Sequence, residues 1–387
     1  MLPTASPESA GLSSERLQRA FAHLQRWLDE GVITAVASVV VRRGRIVGEF
    51  YGGRVAPSPT GSGADASPVS LQTLFHIASI GKPMTSTAVM MLVEEGKISL
   101  DDPVGAIVPA FRGEWRDAIT VRHLLTHTSG LPQDPGPEIM EGLPPGADTP
   151  AQLRNYPKSR LEAPTGSKVE YSNVGFGMLG LIVEAASGQS YPEFMRARLF
   201  APAGMHESYI APPASLYGRI AHVGGVPNPG SANERFNSAY ARRQSHPAGN
   251  IMATASDVAL FFQMFLHRGQ ANGRAVIAPA TARLMTTNHT AGLRGGIEGF
   301  MTWDNCAWGL GFDLRADKRP HFSGEFTSPQ TFGHSGVAGT FAWADPERDL
   351  ICVMLANRLL HNLWNFPRWS RFSTAVTASV MTPDSRD

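Results

Sequence analysis

Between residues 14 and 30 the apolar positions Leu17, Ala20, Phe21, Leu24, Trp27 and Leu28 recur at helical spacing. That spacing predicts an amphipathic helix with Ser13 or Ser14 as its cap. The pattern then changes. Ala35–Val41 and Arg45–Tyr51 are rich in β-forming residues around an Arg43-Gly44 turn, which predicts a hairpin. Residues 53–68 have the Gly, Pro, Ser and Ala composition of a surface loop. From Met84 to Val93 the chain carries no charge and predicts a buried helix, with Gly96 as its stop. Residues 132–150 are too proline-rich for a core element and are expected to line or cover a site. Residues 174–187 predict a second buried helix, ended by Gly188. Ser190 and Glu193 then read as a capping box for the next one. Residues 222–250 are loop-like, and Thr254 with Asp257 opens a helix over 256–267. From about residue 303 strand patterns return at Trp308–Leu314, Gly339–Ala344 and Leu350–Leu355, the last two around an Asp345-Pro346 turn. A final helix is expected near 368–381.

Strands and flanking helices thus lie at both ends, with helices between them. This predicts an α+β fold with one antiparallel sheet built from the two chain ends and a helical insertion. The expected division is residues 1–75 with 303–387 as the sheet domain and 76–302 as a mainly helical domain. An active site is expected at the seam between them.

The bulk numbers narrow the function. The chain has 387 residues, 42% hydrophobic and 17% charged, enough to bury a sizeable core. A formal charge of +1 without a basic cluster gives no reason to expect nucleic acid or a membrane surface as a partner. Cys306 and Cys352 do not suggest a disulfide framework, and Cys352 lies in an apolar run. The N-terminus has no basic start followed by a long apolar stretch, and no segment approaches membrane-spanning length. The expectation is a cytoplasmic protein.

The candidate chemistry begins at Ser79-Ile80-Gly81-Lys82. Pro83 is tolerated only in the first turn of the uncharged helix, so Ser79 sits at or beside the helix N-terminus. Lys82 lies one turn on, on the same face. Burial lowers a lysine pKa, and a neutral amine accepts a serine proton, leaving the oxygen to attack a carbonyl. A capping serine followed by a surface lysine has the same spacing, so this pair needs support from elsewhere. Two further stretches supply it: Tyr171-Ser172-Asn173, opening the second buried helix, and Gly333-His334-Ser335-Gly336, before the Gly339–Ala344 strand.

In this order the three stretches resemble the motifs of the serine β-lactamase and penicillin-binding-protein superfamily: S-x-x-K, then S-x-N or Y-x-N, then K-T-G on a strand edge. The Y-x-N form is similar to class C β-lactamases, some D-alanyl-D-alanine carboxypeptidases and, most closely, family VIII carboxylesterases. The stretches His123–Leu131, Leu100–Val104 and Pro247-Ala248-Gly249 resemble this branch too, so the likeness covers roughly residues 10–360. The resemblance implies a β-lactamase-like fold, no cofactor and no metal. It implies Ser79 as the acylated nucleophile and Lys82 as its base or base partner. Tyr171 would be a phenol of lowered pKa that shuttles a proton. Asn173 would orient Lys82 and bind a substrate carbonyl. The backbone donors of Ser79 and Val337 would form an oxyanion hole, and Gly336 would let the strand edge approach substrate.

One position departs from the family pattern. The usual lysine of K-T-G is His334, followed by Ser335 and Gly336. A histidine is mostly neutral at neutral pH and gives no permanent anchor for a carboxylate. The resemblance therefore points to a serine hydrolase acting on a small-molecule short-chain ester. An amidase or D,D-peptidase, a weak β-lactamase, an acyltransferase and a non-turnover acyl-binding protein are the alternatives. Gly333–Val337 is not a nucleophile elbow around Ser335, since its last position is Val337 and a strand rather than a helix follows. His123 and His127 lack the glutamate of H-E-x-x-H and read as packing and loop support. Lys168 reads as solvated surface, and Trp303, Trp308 and Trp343 as core.

Overall fold

The structure is a computed structural model that describes residues 2–56, 67–224, 236–360 and 365–381. Parts of the expected loops 53–68 and 222–250 lie outside the described residues. Ser13 caps helix α1 (Ser14–Asp29) by accepting from the Arg16 amide, and the five predicted positions from Leu17 to Trp27 are buried. Strands β1 (Ala35–Arg42) and β2 (Arg45–Gly53) form the expected hairpin. Helix α2 is Gly81–Glu94 and helix α3 is Asn173–Ser187, the latter ended by left-handed Gly188. Thr254 caps helix α4 (Ala255–Leu266). Strands β3 (Asp313–Leu314), β4 (Phe332–Gly336), β5 (Thr340–Asp345) and β6 (Leu350–Ala356) precede helix α5 (Asn365–Thr377).

These strands form one antiparallel sheet in the order β3-β4-β5-β6-β1-β2, joining both ends of the chain as expected. Every residue of β1 and β6 is buried. The alternation of side chains explains this. Val36, Val40, Trp343 and Cys352 pack with α1 and α5, while Val39, Val41, Ile351 and Val353 pack on the other face with α2 and α4. With both faces covered, the central strands read as apolar runs rather than alternating ones. Cys306 and Cys352 are both buried as free thiols. Among the described residues, no helix is long and apolar enough to cross a membrane.

Several local expectations differ from the structure. Of Trp308–Leu314 only Asp313–Leu314 pairs in the sheet. Gly311 takes a left-handed φ of +87° and packs so tightly on α2 that a Cβ there would lie 2.0 Å from Ser86 Oγ. Conversely β4, rich in glycine, carries little strand pattern and is a five-residue strand. The loop-like stretch 222–250 contains a short helix, Ala239–Arg243, capped by Ser238. Ser190 does not cap the following helix; its hydroxyl donates to the Glu193 carboxylate instead (2.7 Å). The last helix begins at Asn365, three residues earlier than expected.

Candidate active site

Two small sheets aim the reactive segments. Phe75–His76 pairs with Ile251–Ala253, which also pairs with Ser208–Ile210. The chain then turns sharply through Ala78, at a φ of +50°, into a 3-10 turn, Ala78–Ile80, that runs straight into α2. A non-glycine residue in that region is strained and persists only where its surroundings hold it. Here the Ile77 amide donates to the Ile251 carbonyl (3.0 Å), and the Thr340 hydroxyl donates to the Ile77 carbonyl (3.0 Å). Ser79 is therefore presented, half-buried, ahead of the helix as the position of Pro83 predicts.

Lys82 is fully buried (0% exposed) on α2. Its Nζ has three polar neighbours: Asn173 Oδ1 at 2.7 Å, the Ala248 carbonyl at 3.0 Å and Ser79 Oγ at 3.2 Å. The two carbonyls only accept, and a neutral amine has two N–H bonds to give them. That leaves its one lone pair for the Ser79 hydroxyl. Burial holds the Lys82 pKa well below its ordinary value, against the opposing pull of Asp134. The three acceptors would suit an ammonium as well, so it is burial that favours the neutral amine, whose lone pair can then face the serine hydroxyl.

The second small sheet carries Tyr171. Val169–Glu170 pairs in parallel with Gly295–Ile297, and the Tyr171 amide donates to the Gly296 carbonyl (3.0 Å). The Tyr171 ring lies 4.5 Å from Lys82 Nζ, and its hydroxyl sits against Ser79. His127 packs its ring 4.6 Å from Tyr171 and accepts the Ser172 amide at Nδ1 (3.0 Å). Trp308 closes the far side, its ring 6.2 Å from Tyr171 and 5.9 Å from His334. One expectation is corrected here. Burial raises the Tyr171 pKa above the ordinary phenol value rather than lowering it. A lowered pKa needs a cation beside the ring, and the same burial leaves Lys82 neutral.

Asn173 begins α3 and is fixed at both ends of its amide. Its Oδ1 accepts from Lys82, and its Nδ2 donates to Asp134 Oδ1 (2.8 Å). On the opposite wall, β4 lies antiparallel to β5 with His334 opposite Ala342, Ser335 opposite Phe341 and Gly336 opposite Thr340. A Cβ on Gly336 would lie 2.6 Å from the Ile77 carbonyl oxygen and 3.0 Å from Ala78 Cβ. Only glycine lets this strand edge close on the turn that presents Ser79. Val337, just past the strand, is exposed (41%) and lines the same cleft as Ser79. His334 is buried, and its Nδ1 donates to the Ser335 carbonyl (2.7 Å). Burial pushes its pKa down to about 3, so this position carries no cation.

The structure therefore gathers Ser79, Lys82, Tyr171, Asn173, His334, Gly336 and Val337, with Ser335 on the strand between them. His123 accepts the Thr120 amide in a helix cap (3.1 Å), and Lys168 pairs with Glu170 (3.0 Å). Neither touches Ser79. Trp343 lies on the other face of the sheet, bonded to Ser373. Among the described residues, no group of three or more His, Cys, Asp or Glu side chains clusters as metal ligands. The titratable cleft-lining residues that the sequence does not mark as such include His76, Asp134, Tyr156 and His246. Asp134 and Tyr156 stand in or beside the proline-rich loop, whose composition marks it as a lining without saying which side chains face inward. The cleft beside Ser79 has a volume of about 260 Å³. A second arm of about 250 Å³ shares His76, Gln152, Phe236, His246 and Asn250 with it.

Fold and site together define a class of protein in which a serine-lysine helix start is closed against the edge of an antiparallel sheet. The family model described as Beta-lactamase matches residues 17–363, and the chain belongs to that family. It is accordingly a serine hydrolase of the β-lactamase and penicillin-binding-protein group. Penicillin-binding protein 4 of Amycolatopsis lactamdurans is 28% identical over 306 residues, covering 75% of this chain and 73% of the relative. A protein of Escherichia coli (strain K12), provisionally named a D-alanyl-D-alanine carboxypeptidase, is 27% identical over 92% of this chain and 86% of its own. Among solved structures, a penicillin-binding protein homologue from Caulobacter crescentus superposes with a TM-score of 0.77 at 24% identity. It covers 95% of this chain and 99% of that one.

Proposed function

We propose that the protein is a carboxylesterase acting through an acyl-enzyme on Ser79. The observation that carries this reading is the coordination of Lys82, two carbonyl acceptors and one hydroxyl around a buried amine. Lys82 takes the Ser79 proton as Oγ bonds to the ester carbonyl carbon. The carbonyl electron pair moves onto oxygen, where the backbone N–H groups of Ser79 and Val337 receive the oxyanion. As the intermediate collapses, the ester C–O bond breaks. The Tyr171 hydroxyl then protonates the departing alkoxide and is re-protonated from the Lys82 ammonium. Water repeats the sequence on the acyl-enzyme and restores Ser79. A protonated phenol at rest suits this donor role, and a neutral amine suits the base. Because His334 is uncharged, nothing at that position holds a substrate carboxylate, which favours a neutral ester.

A second reading, hydrolysis of a D-alanyl amide, is favoured by the Escherichia coli relative, which matches 92% of this chain. A side-by-side assay separates the two, using p-nitrophenyl butyrate, nitrocefin and a D-alanyl p-nitroanilide with Ser79→Ala as control. The ester reading expects turnover of the butyrate that is lost in Ser79→Ala, with little on the others. Dominant Ser79-dependent turnover of the anilide or of nitrocefin would replace it.

A further inference from the structure

Three consecutive backbone amides hold the segment that presents Tyr171, and one residue takes two of them. The Tyr171 amide itself donates to the Gly296 carbonyl (3.0 Å). On one side of it, the Glu170 amide donates to the His127 carbonyl (2.7 Å). On the other, the Ser172 amide donates to His127 Nδ1 (3.0 Å). The His127 ring also lies against the Tyr171 ring, with 4.6 Å between centroids and a tilt of 31°. Phe176 and Trp308 pack on the same imidazole, each at 5.0 Å.

His127 holds this place in a strained conformation. It follows the short helix Val121–Leu125 and takes a left-handed φ of +58°. A non-glycine residue keeps such a φ only where its surroundings fix it. Here the Thr128 amide donates to the His123 carbonyl (2.9 Å), and the Gly166 amide donates to the Thr128 carbonyl (2.7 Å). The hydroxyls of Thr126 and Thr128, on either side of His127, are bonded to each other (2.8 Å). The side chain is fully buried, and burial keeps the imidazole neutral. Since Nδ1 accepts, the ring proton sits on Nε2. Packing alone asks only for a ring of this size. It does not ask for an acceptor aimed at the Ser172 amide.

We infer that His127 is a positioning residue for Tyr171, gripping the chain on both sides of it so that the phenol hydroxyl stays against Ser79, where the leaving group departs. This rests on the acyl-enzyme reading, in which that hydroxyl protonates the departing alkoxide. Being fully buried, His127 acts through Tyr171 and not on the substrate.

The test compares ethyl butyrate, whose ethoxide must be protonated as it leaves, with p-nitrophenyl butyrate, whose phenolate leaves as the anion. Both give the same butyryl-enzyme, and kcat/KM reads the acylation step in which they differ. His127→Leu keeps an apolar body but cannot accept from the Ser172 amide. It should lower kcat/KM about 100-fold for ethyl butyrate and less than about tenfold for p-nitrophenyl butyrate. Asparagine tolerates a left-handed φ and carries an acceptor oxygen near the place of Nδ1. His127→Asn should therefore restore ethyl butyrate to within about tenfold of the wild-type protein. In a Tyr171→Phe background, His127→Leu should cost less than about threefold more, since no hydroxyl remains to be placed. If His127→Leu does not fold, His127→Gly, which takes that φ without strain, carries the same comparison. The inference is overturned by equal losses on the two esters or none, by His127→Asn as slow as His127→Leu, or by losses that multiply in the double variant. It is overturned too if neither His127→Leu nor His127→Gly folds, since the bond then serves the fold and not Tyr171. In each of these cases, Ser79-dependent turnover of p-nitrophenyl butyrate by the wild-type protein leaves the acyl-enzyme reading standing. Its absence overturns both.

Discussion

At the scale of single residues, the charge state of Lys82 decides whether Ser79 can be activated. Taking an ammonium fully out of water costs several kcal/mol unless it is paired, and here the amine meets two neutral carbonyls and a hydroxyl. The neutral form is the active one, so protonation at low pH switches activity off. The kcat/KM for a neutral ester should rise with pH as Lys82 deprotonates and level off well below the pH at which an ordinary lysine would. An ordinary lysine, with a pKa of about 10.4, would leave activity still climbing tenfold per unit near pH 9. A profile of that shape would contradict a depressed Lys82 pKa. The sequence made this pair legible because an uncharged helix with a proline in its first turn places both residues at its start, and the two later stretches set aside the reading as a cap and a surface lysine. It did not make Asp134 legible. That residue reaches Asn173 through the path of a proline-rich loop, and side-chain pattern does not encode loop geometry. The Tyr171 pKa lies above the ordinary value, against the resemblance, because burial outweighs the hydrogen bond to Ser79.

At the scale of elements, the sequence is informative where a period is sustained. Helix α1, the β1–β2 hairpin, α3 and α4 follow from their apolar spacing and caps. The pattern is weakest where glycine does the shaping. Residues 308–312 look like strand but turn at Gly311. Residues 332–336 carry little strand pattern of their own but form β4, the strand edge that the resemblance implies, and the space beside the Ser79 turn admits no side chain at Gly336. Gly336→Ala tests this directly. Its Cβ would meet the Ile77 carbonyl and Thr340 Oγ1, pushing β4 off the turn. Overpacking of this kind costs about 1–3 kcal/mol, while displacing the reacting groups by about 1 Å costs about 100-fold in rate. The expected variant is folded, somewhat less stable in urea, and slowed by about 100-fold or more in kcat/KM. Wild-type activity would show that the strand edge is not part of the site.

At the scale of the whole molecule, both ends of the chain build one sheet, and the reactive groups arrive from distant segments. Ser79 and Lys82 come from the start of α2, Tyr171 and Asn173 from the start of α3, Asp134 from the loop before it, and His334 to Val337 from the sheet edge. That three short stretches meet is what their resemblance to the family motifs implies, and each sits at the start or the edge of an element. Such positions are where backbone groups and side chains are left facing a cleft. The central claim is that a substrate acyl group becomes bonded to Ser79 Oγ. The most direct measurement mixes the protein with p-nitrophenyl butyrate, quenches it in acid within the first turnovers, and locates any added butyryl group by peptide mass spectrometry. A butyryl adduct is expected on the peptide containing Ser79 and is absent in Ser79→Ala. Steady turnover with no adduct there, or an adduct on Ser335 instead, would contradict it.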